Sequence, residues 1–95
     1  MSVRARIYVN NDVACSVNTN GQGIEIPGPV QDDQWSLHFQ QATWYFTNNI
    51  QEHGYRFIWY KPDGTKQPAR GQARIPNKDV VDYLYDLATQ AGWWN

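Results

Sequence analysis

The sequence predicts an α+β domain, an antiparallel β-sheet (a meander of about four to six strands) with one C-terminal α-helix packed on one face. Three observations predict it. Near the N-terminus Val3, Ala5, Ile7 and Val9 alternate with Arg4, Arg6 and Tyr8, the period of a half-buried strand. The middle of the chain is rich in Trp, Tyr, Phe and Thr, which suit strands and make poor helices. Toward the end, Val80, Leu84, Leu87, Ala88 and Ala91 recur at helical spacing.

In chain order, the first alternating run ends at Asn10-Asn11, a two-residue turn signal, and residues 13–17 return as a second strand. Residues 18–23 are loop material, and Ile24-Glu25-Ile26 forms a short third strand stopped by Pro27, Gly28 and Pro29. Residues 32–53 admit two readings. As a helix they present Trp35, Phe39, Ala42, Phe46 and Ile50 as a stripe, with Gly54 closing it. As strands they alternate at Trp35, Leu37 and Phe39, continue through 43–47 and turn at Asn48-Asn49. Composition favours the strands.

Residues 55–60 make an aromatic strand. Lys61-Pro62-Asp63-Gly64-Thr65 then closes a hairpin, with Pro pre-set for the first central position and Gly for a left-handed one. The return strand runs over 65–75, and Pro68, which cannot donate to a ladder, puts it at an edge. For the last element, Asn77 caps a helix with Asp79 in its first turn, Gly92 ends it, and Trp93 packs back on Leu87 or Ala88.

The 95 residues make one domain, 1–95. Fourteen aromatic rings exceed what one small core hides, so some reach the surface. Eight Lys and Arg against nine Asp and Glu leave a net charge of −1, too balanced for strong phosphate or membrane-surface binding and low enough to ease self-association. Cys15 is the only cysteine, which excludes an internal disulfide and a Cys-based zinc site. The start, Met-Ser-Val-Arg-Ala-Arg, lacks the apolar stretch of a signal peptide, so a cytoplasmic location is expected, with no membrane partner.

No motif names a chemistry. His38, His53 and Cys15 fit no nucleophile or metal spacing, and Gly21-Gln22-Gly23 lacks the rest of a phosphate loop. No cofactor, metal or catalytic residue is therefore expected. The hairpin carries the one informative pattern: a three-residue loop at 62–64 sends Phe57 and Trp59 inward and Arg56, Ile58, Tyr60, Lys66, Arg70 and Arg74 outward. Five basic residues and one acid lie between Lys61 and Lys78. The expectation is a non-catalytic interaction module. It binds a protein partner or itself through Arg56, Tyr60, Lys66, Arg70, Arg74 and an exposed Trp94. Single-stranded nucleic acid on the same face is the alternative, and a bland solvated sheet face, whose basic residues discourage edge pairing, competes with both.

Overall fold

The computed structural model describes residues 5–18, 26–67 and 73–94. Its architecture is α+β. Three antiparallel strands, β1 (Arg6–Val17), β2 (Trp35–Tyr45) and β3 (Gln51–Tyr60), lie in the order β1-β2-β3, and helix α1 (Lys78–Gln90) follows. Among the described residues there are three strands, not four to six.

The excess came from reading Asn10-Asn11 as a turn. The chain instead runs straight through as one strand of 12 residues, with a bulge where Val9 pairs Ala42 and Asn11 pairs Gln41. The two Asn side chains are used across the ladder: Asn10 Nδ2 donates to Thr43 Oγ1 at 3.2 Å and Asn11 Nδ2 donates to Gln41 Oε1. Each Asn thereby finds a cross-strand partner without the chain reversing. The bulge has a second effect, because one extra residue reverses side-chain parity. Val13, Cys15 and Val17 share a face with Phe39, Leu37 and Trp35, whereas Ile7 and Val9 lie on the opposite face, beside Trp44 and Ala42.

The third strand expected at 24–26 lies largely outside the described residues; Ile26 itself is not in a strand. Residues 35–60 form a strand hairpin rather than a helix. Asn48 and Asn49 adopt left-handed φ values of 67° and 61° at its turn, which Asn tolerates better than other side chains. The 62–64 loop closes as expected: Gly64 has φ 88°, Lys61 N donates to Thr65 O at 2.8 Å, and Asp63 Oδ1 accepts from Thr65 N and Oγ1. These bonds hold the Asp63 carboxyl below its usual range. Of the return strand expected over 65–75, residues 68–72, Pro68 included, lie outside the described residues. Tyr60 bridges Lys66 and Gln67 N donates to Trp59 O, but by residues 73–75 the chain is no strand, and Arg74 O accepts the Trp59 indole N–H at 2.8 Å. That bond ties residue 74 to Trp59, which packs in the core beneath α1.

Helix α1 caps as its sequence implies. Asn77 Oδ1 accepts from Val80 N, and the C-terminus closes with Gly92 N donating to Thr89 O and Trp93 N to Ala88 O, Gly92 taking φ 81°. Val80, Leu84 and Ala88 are fully buried against Cys15, Val17, Leu37, Phe39 and Trp59, with Trp93 packed alongside. Thirteen helical residues rise about 20 Å, while the strands span about 35–40 Å. The helix therefore covers only part of one face of the sheet. The radius of gyration, 14.4 Å, exceeds the roughly 12 Å of a compact chain of this length, as a projecting sheet requires.

Candidate functional site: an aromatic groove and a polar sheet face

Beyond the C-terminal end of α1 the helix side of the sheet opens into a groove of about 620 Å³ lined by Phe39, Tyr55, Phe57, Tyr85, Thr89 and Trp94. Strand parity supplies half of this lining, since Phe39, Tyr55 and Phe57 share the face on which the helix rests. The helix supplies Tyr85 and Thr89, one turn apart. The Gly92 turn then folds Trp93 and Trp94 back over the sheet. Phe39 is the floor: its ring stacks on Phe57 at 4.7 Å and on Tyr55 at 5.6 Å, and Tyr85 and Trp93 approach it at 5.2 and 5.3 Å. Trp94 stands at the rim, 43% exposed, with its indole N–H donated to Thr89 Oγ1 at 2.8 Å. No lining residue is charged. Tyr55 also borders a smaller polar pocket of about 250 Å³ with Asn10, Gln41 and His53, where Thr43 Oγ1 and His53 Nδ1 lie 3.0 Å apart.

The opposite, helix-free face carries a buried polar network. Gln40, 1% exposed, takes the Arg56 Nε–H on its Oε1 at 2.7 Å and reaches Tyr60 OH at 3.4 Å. The Tyr60 ring lies 4.1 Å from His38. His38 Nδ1 lies 3.0 Å from Asp12 Oδ2 and its Nε2 3.0 Å from Ser36 Oγ; in the neutral ring with the proton on Nδ1, Nδ1 donates to Asp12 and Nε2 accepts from Ser36. That is the bond order of a nucleophile–base–acid relay. Yet Ser36 is 3% exposed, lies next to Ser16 across the ladder, and presents its hydroxyl to the network rather than to an open cleft. Residues 26–31 strap Ser16 at this end: Gly28 O accepts from Ser16 N, Pro29 O from Ser16 Oγ, and Gln31 N donates to Ser16 Oγ. The chain of bonds fixes the sheet face. Cys15 is no better placed for chemistry, because burial pushes its thiol up to about 11, against an ordinary 9.0, and thiolate is the reactive form.

Of the residues singled out by sequence, Arg56, Tyr60 and Lys66 come together on the helix-free face. Arg56 and Tyr60 are engaged there with Gln40 and His38, while Lys66 is exposed. Arg74 is exposed and lends its carbonyl to Trp59. Arg70 lies outside the described residues. Trp94 is exposed on the other face of the sheet. Phe57 and Trp59 point to the helix side, as a three-residue loop demands. Sequence reasoning missed Phe39, Tyr55 and Tyr85. Extending the parity of Phe57 and Trp59 back by one step would have placed Tyr55, and Tyr85 follows the buried Leu84 on a helix whose end carries two Trp.

Among the described residues no three of His, Cys, Asp and Glu gather as a metal site requires, and no helix is long and apolar enough to cross a membrane. Comparison with protein-family models, with curated proteins and with solved structures finds no match.

Proposed function

We propose that this chain is a non-catalytic interaction module that binds a protein partner, with the groove between α1 and the sheet as its contact surface and Trp94 as its anchor. The observation that carries the reading is the groove itself: five uncharged aromatic rings already in contact with one another, of which Tyr55, Tyr85 and Trp94 are exposed. Aromatic residues dominate the energetics of interfaces, and rings held in place by neighbours lose little freedom when a partner docks. The ligand such a lining suits is a segment carrying apolar side chains rather than a charged one. The basic hairpin residues Arg56 and Lys66 lie on the other face, away from this groove.

Nucleic acid on the helix-free face is the weaker reading. Among the described residues Arg56 and Lys66 there are offset by Asp12 and Glu52 on the same face, which weakens the phosphate attraction that dominates such binding.

A library of displayed peptides selected against the chain, followed by amide and indole chemical-shift mapping, tests the proposal. Selected ligands should move the signals of Tyr55, Tyr85 and Trp94, and Trp94→Ala should weaken them by about tenfold or more. Shifts confined to Arg56, Tyr60 and Lys66, with affinity collapsing between low and physiological salt, would instead favour a phosphate ligand and overturn it.

A further inference from the structure

We propose that two copies of this chain join edge to edge. Residues 51–57 of β3 pair antiparallel with the same stretch of a second copy, about a twofold axis at Gly54, and Glu52 of each copy faces Arg56 of the other. The claim does not depend on what fills the aromatic groove.

β3 is an edge strand whose covered part is its C-terminal end. Lys61, Tyr60 and Trp59 meet Thr65, Lys66 and Gln67, and Arg74 is held at the Trp59 indole. Residues 51–56 have no backbone partner on their outer side among the described residues. This stretch contains no Pro and no Lys, its register against β2 is unbroken, and the charges it carries are one of each sign, Glu52 and Arg56. The other edge, β1, is bent by its bulge and strapped at Ser16 by Gly28.

The direction of the free groups fixes which registers are open. Phe46 N donates to Ile50 O across the β2–β3 turn, so even-numbered residues of β3 point their amides toward β2. Odd-numbered residues point outward, as the bond from Gln67 N to Trp59 O shows directly. A second copy can therefore bond only through residues 51, 53, 55 and 57. The twofold axis then passes through residue 52, 53, 54, 55 or 56. Centring on Glu52 or on Arg56 sets like charges face to face. Centring on His53 or Tyr55 places Glu52 or Arg56 opposite Gly54, without a charge partner. Only the register centred on Gly54 matches Glu52 with Arg56, and symmetry does it twice.

In that register His53 and Tyr55 exchange backbone bonds with Tyr55 and His53 of the second copy. Glu52 and Arg56 meet at non-hydrogen-bonded positions, where side chains come closest. Both lie on the helix-free face, and neither has an ionic partner among the described residues. The Gln40 carbonyl holds Arg56 by its Nε, which leaves the terminal nitrogens of the guanidinium for the carboxylate. Gly54, at the axis, presents no side chain; a Cβ there would stand 3.3 Å from the Trp44 ring, which lies over it. A net charge of −1 opposes association little.

Sedimentation equilibrium from micromolar to millimolar concentration reads the proposal directly. The wild-type chain should form dimers and nothing larger. Glu52→Arg and Arg56→Glu, made singly, should each raise the dissociation constant about tenfold or more, by opposing like charges twice. Mixing the two single variants should restore a dimer, now mixed, and the combined double variant should dimerise like wild type. His53→Pro removes an outward N–H that β2 does not use, so it should abolish dimers while circular dichroism stays that of a folded sheet. A wild-type chain that stays monomeric at millimolar concentration overturns the proposal. So does a dimer indifferent to both charge reversals, or one that survives His53→Pro.

Discussion

Cys15 offers the most quantitative test of how the helix seals the sheet. Its side chain is 0% exposed beneath α1, and burial raises its thiol to about 11 from an ordinary 9.0, the hydrogen bond to the Gly28 backbone lowering it only in part. Below pH 9 folded and unfolded chains both keep the proton, and the full stabilisation is present. Between about 9 and 11 the unfolded thiol ionises while the folded one does not, so stability falls as the pH rises through that window. Two pH units correspond to about 2–3 kcal/mol, a substantial share of the roughly 5–15 kcal/mol that holds a domain together. Denaturant unfolding of the wild type and of Cys15→Ala from pH 8 to pH 11 isolates the effect, because the tyrosines and lysines titrate in both. The stability difference between the two chains should shrink, or reverse, by that amount across the window. A difference that stays flat, or a thiol that labels in the native state at the rate of a free cysteine, would show that α1 does not lie over Cys15.

Leu84→Ala should cost about 2–5 kcal/mol, since Leu84 is fully buried between the helix and the sheet, and chemical denaturation measures it. Gly92→Ala should cost about 1–2 kcal/mol, because φ is 81° there. The same change should alter the emission of Trp93 and Trp94, whose placement depends on that turn. Arg56→Ala should cost about 1–3 kcal/mol by leaving the buried Gln40 carbonyl oxygen without its donor, and Gln40→Leu in the same background should recover part of the loss.

The fold class was legible because two signals are local. Helical spacing from Val80 to Ala91, with Asn77 before it and Gly92 after it, specifies α1 with little help from the rest of the chain. The 61–65 turn is as explicit, and with it the inward aim of Phe57 and Trp59. The strand count was not legible, because Asn10-Asn11 has the composition of a turn and only the cross-strand partners Thr43 and Gln41 show it to be a bulge. That is long-range information, 33 and 30 residues away. The return strand was legible at Lys66 and Gln67 but not at 73–75, where the Trp59 indole bonds Arg74 O, and residues 68–72 lie outside the described residues. Of the candidate site, Trp94 could be anticipated from the excess of aromatic rings. The groove could not, because it joins two strands to a helix end through register and capping together.

The bulge and the short helix together explain where this molecule is left open. Were the strand regular through Asn10, with no bulge, Ile7 and Val9 would continue the face of Val13, Cys15 and Val17, and a helix of twice the length could cover them all. With it, the apolar residues of β1 divide between the two faces, and no single element can bury both sets. Exposed rings therefore remain on the helix side, at Tyr55, Tyr85 and Trp94, and apolar side chains on the other, at Ile7 and Val9. Pairing along β3 bears on the first set. A twofold axis normal to the sheet keeps both helices on one side, so the two grooves open in the same direction, with Tyr55 of one copy beside His53 of the other. A partner carrying two apolar anchors would then meet both grooves at once and gain from their proximity rather than from any new contact. The same incomplete coverage that makes the sheet hard to read from sequence thus leaves surfaces for other chains to cover.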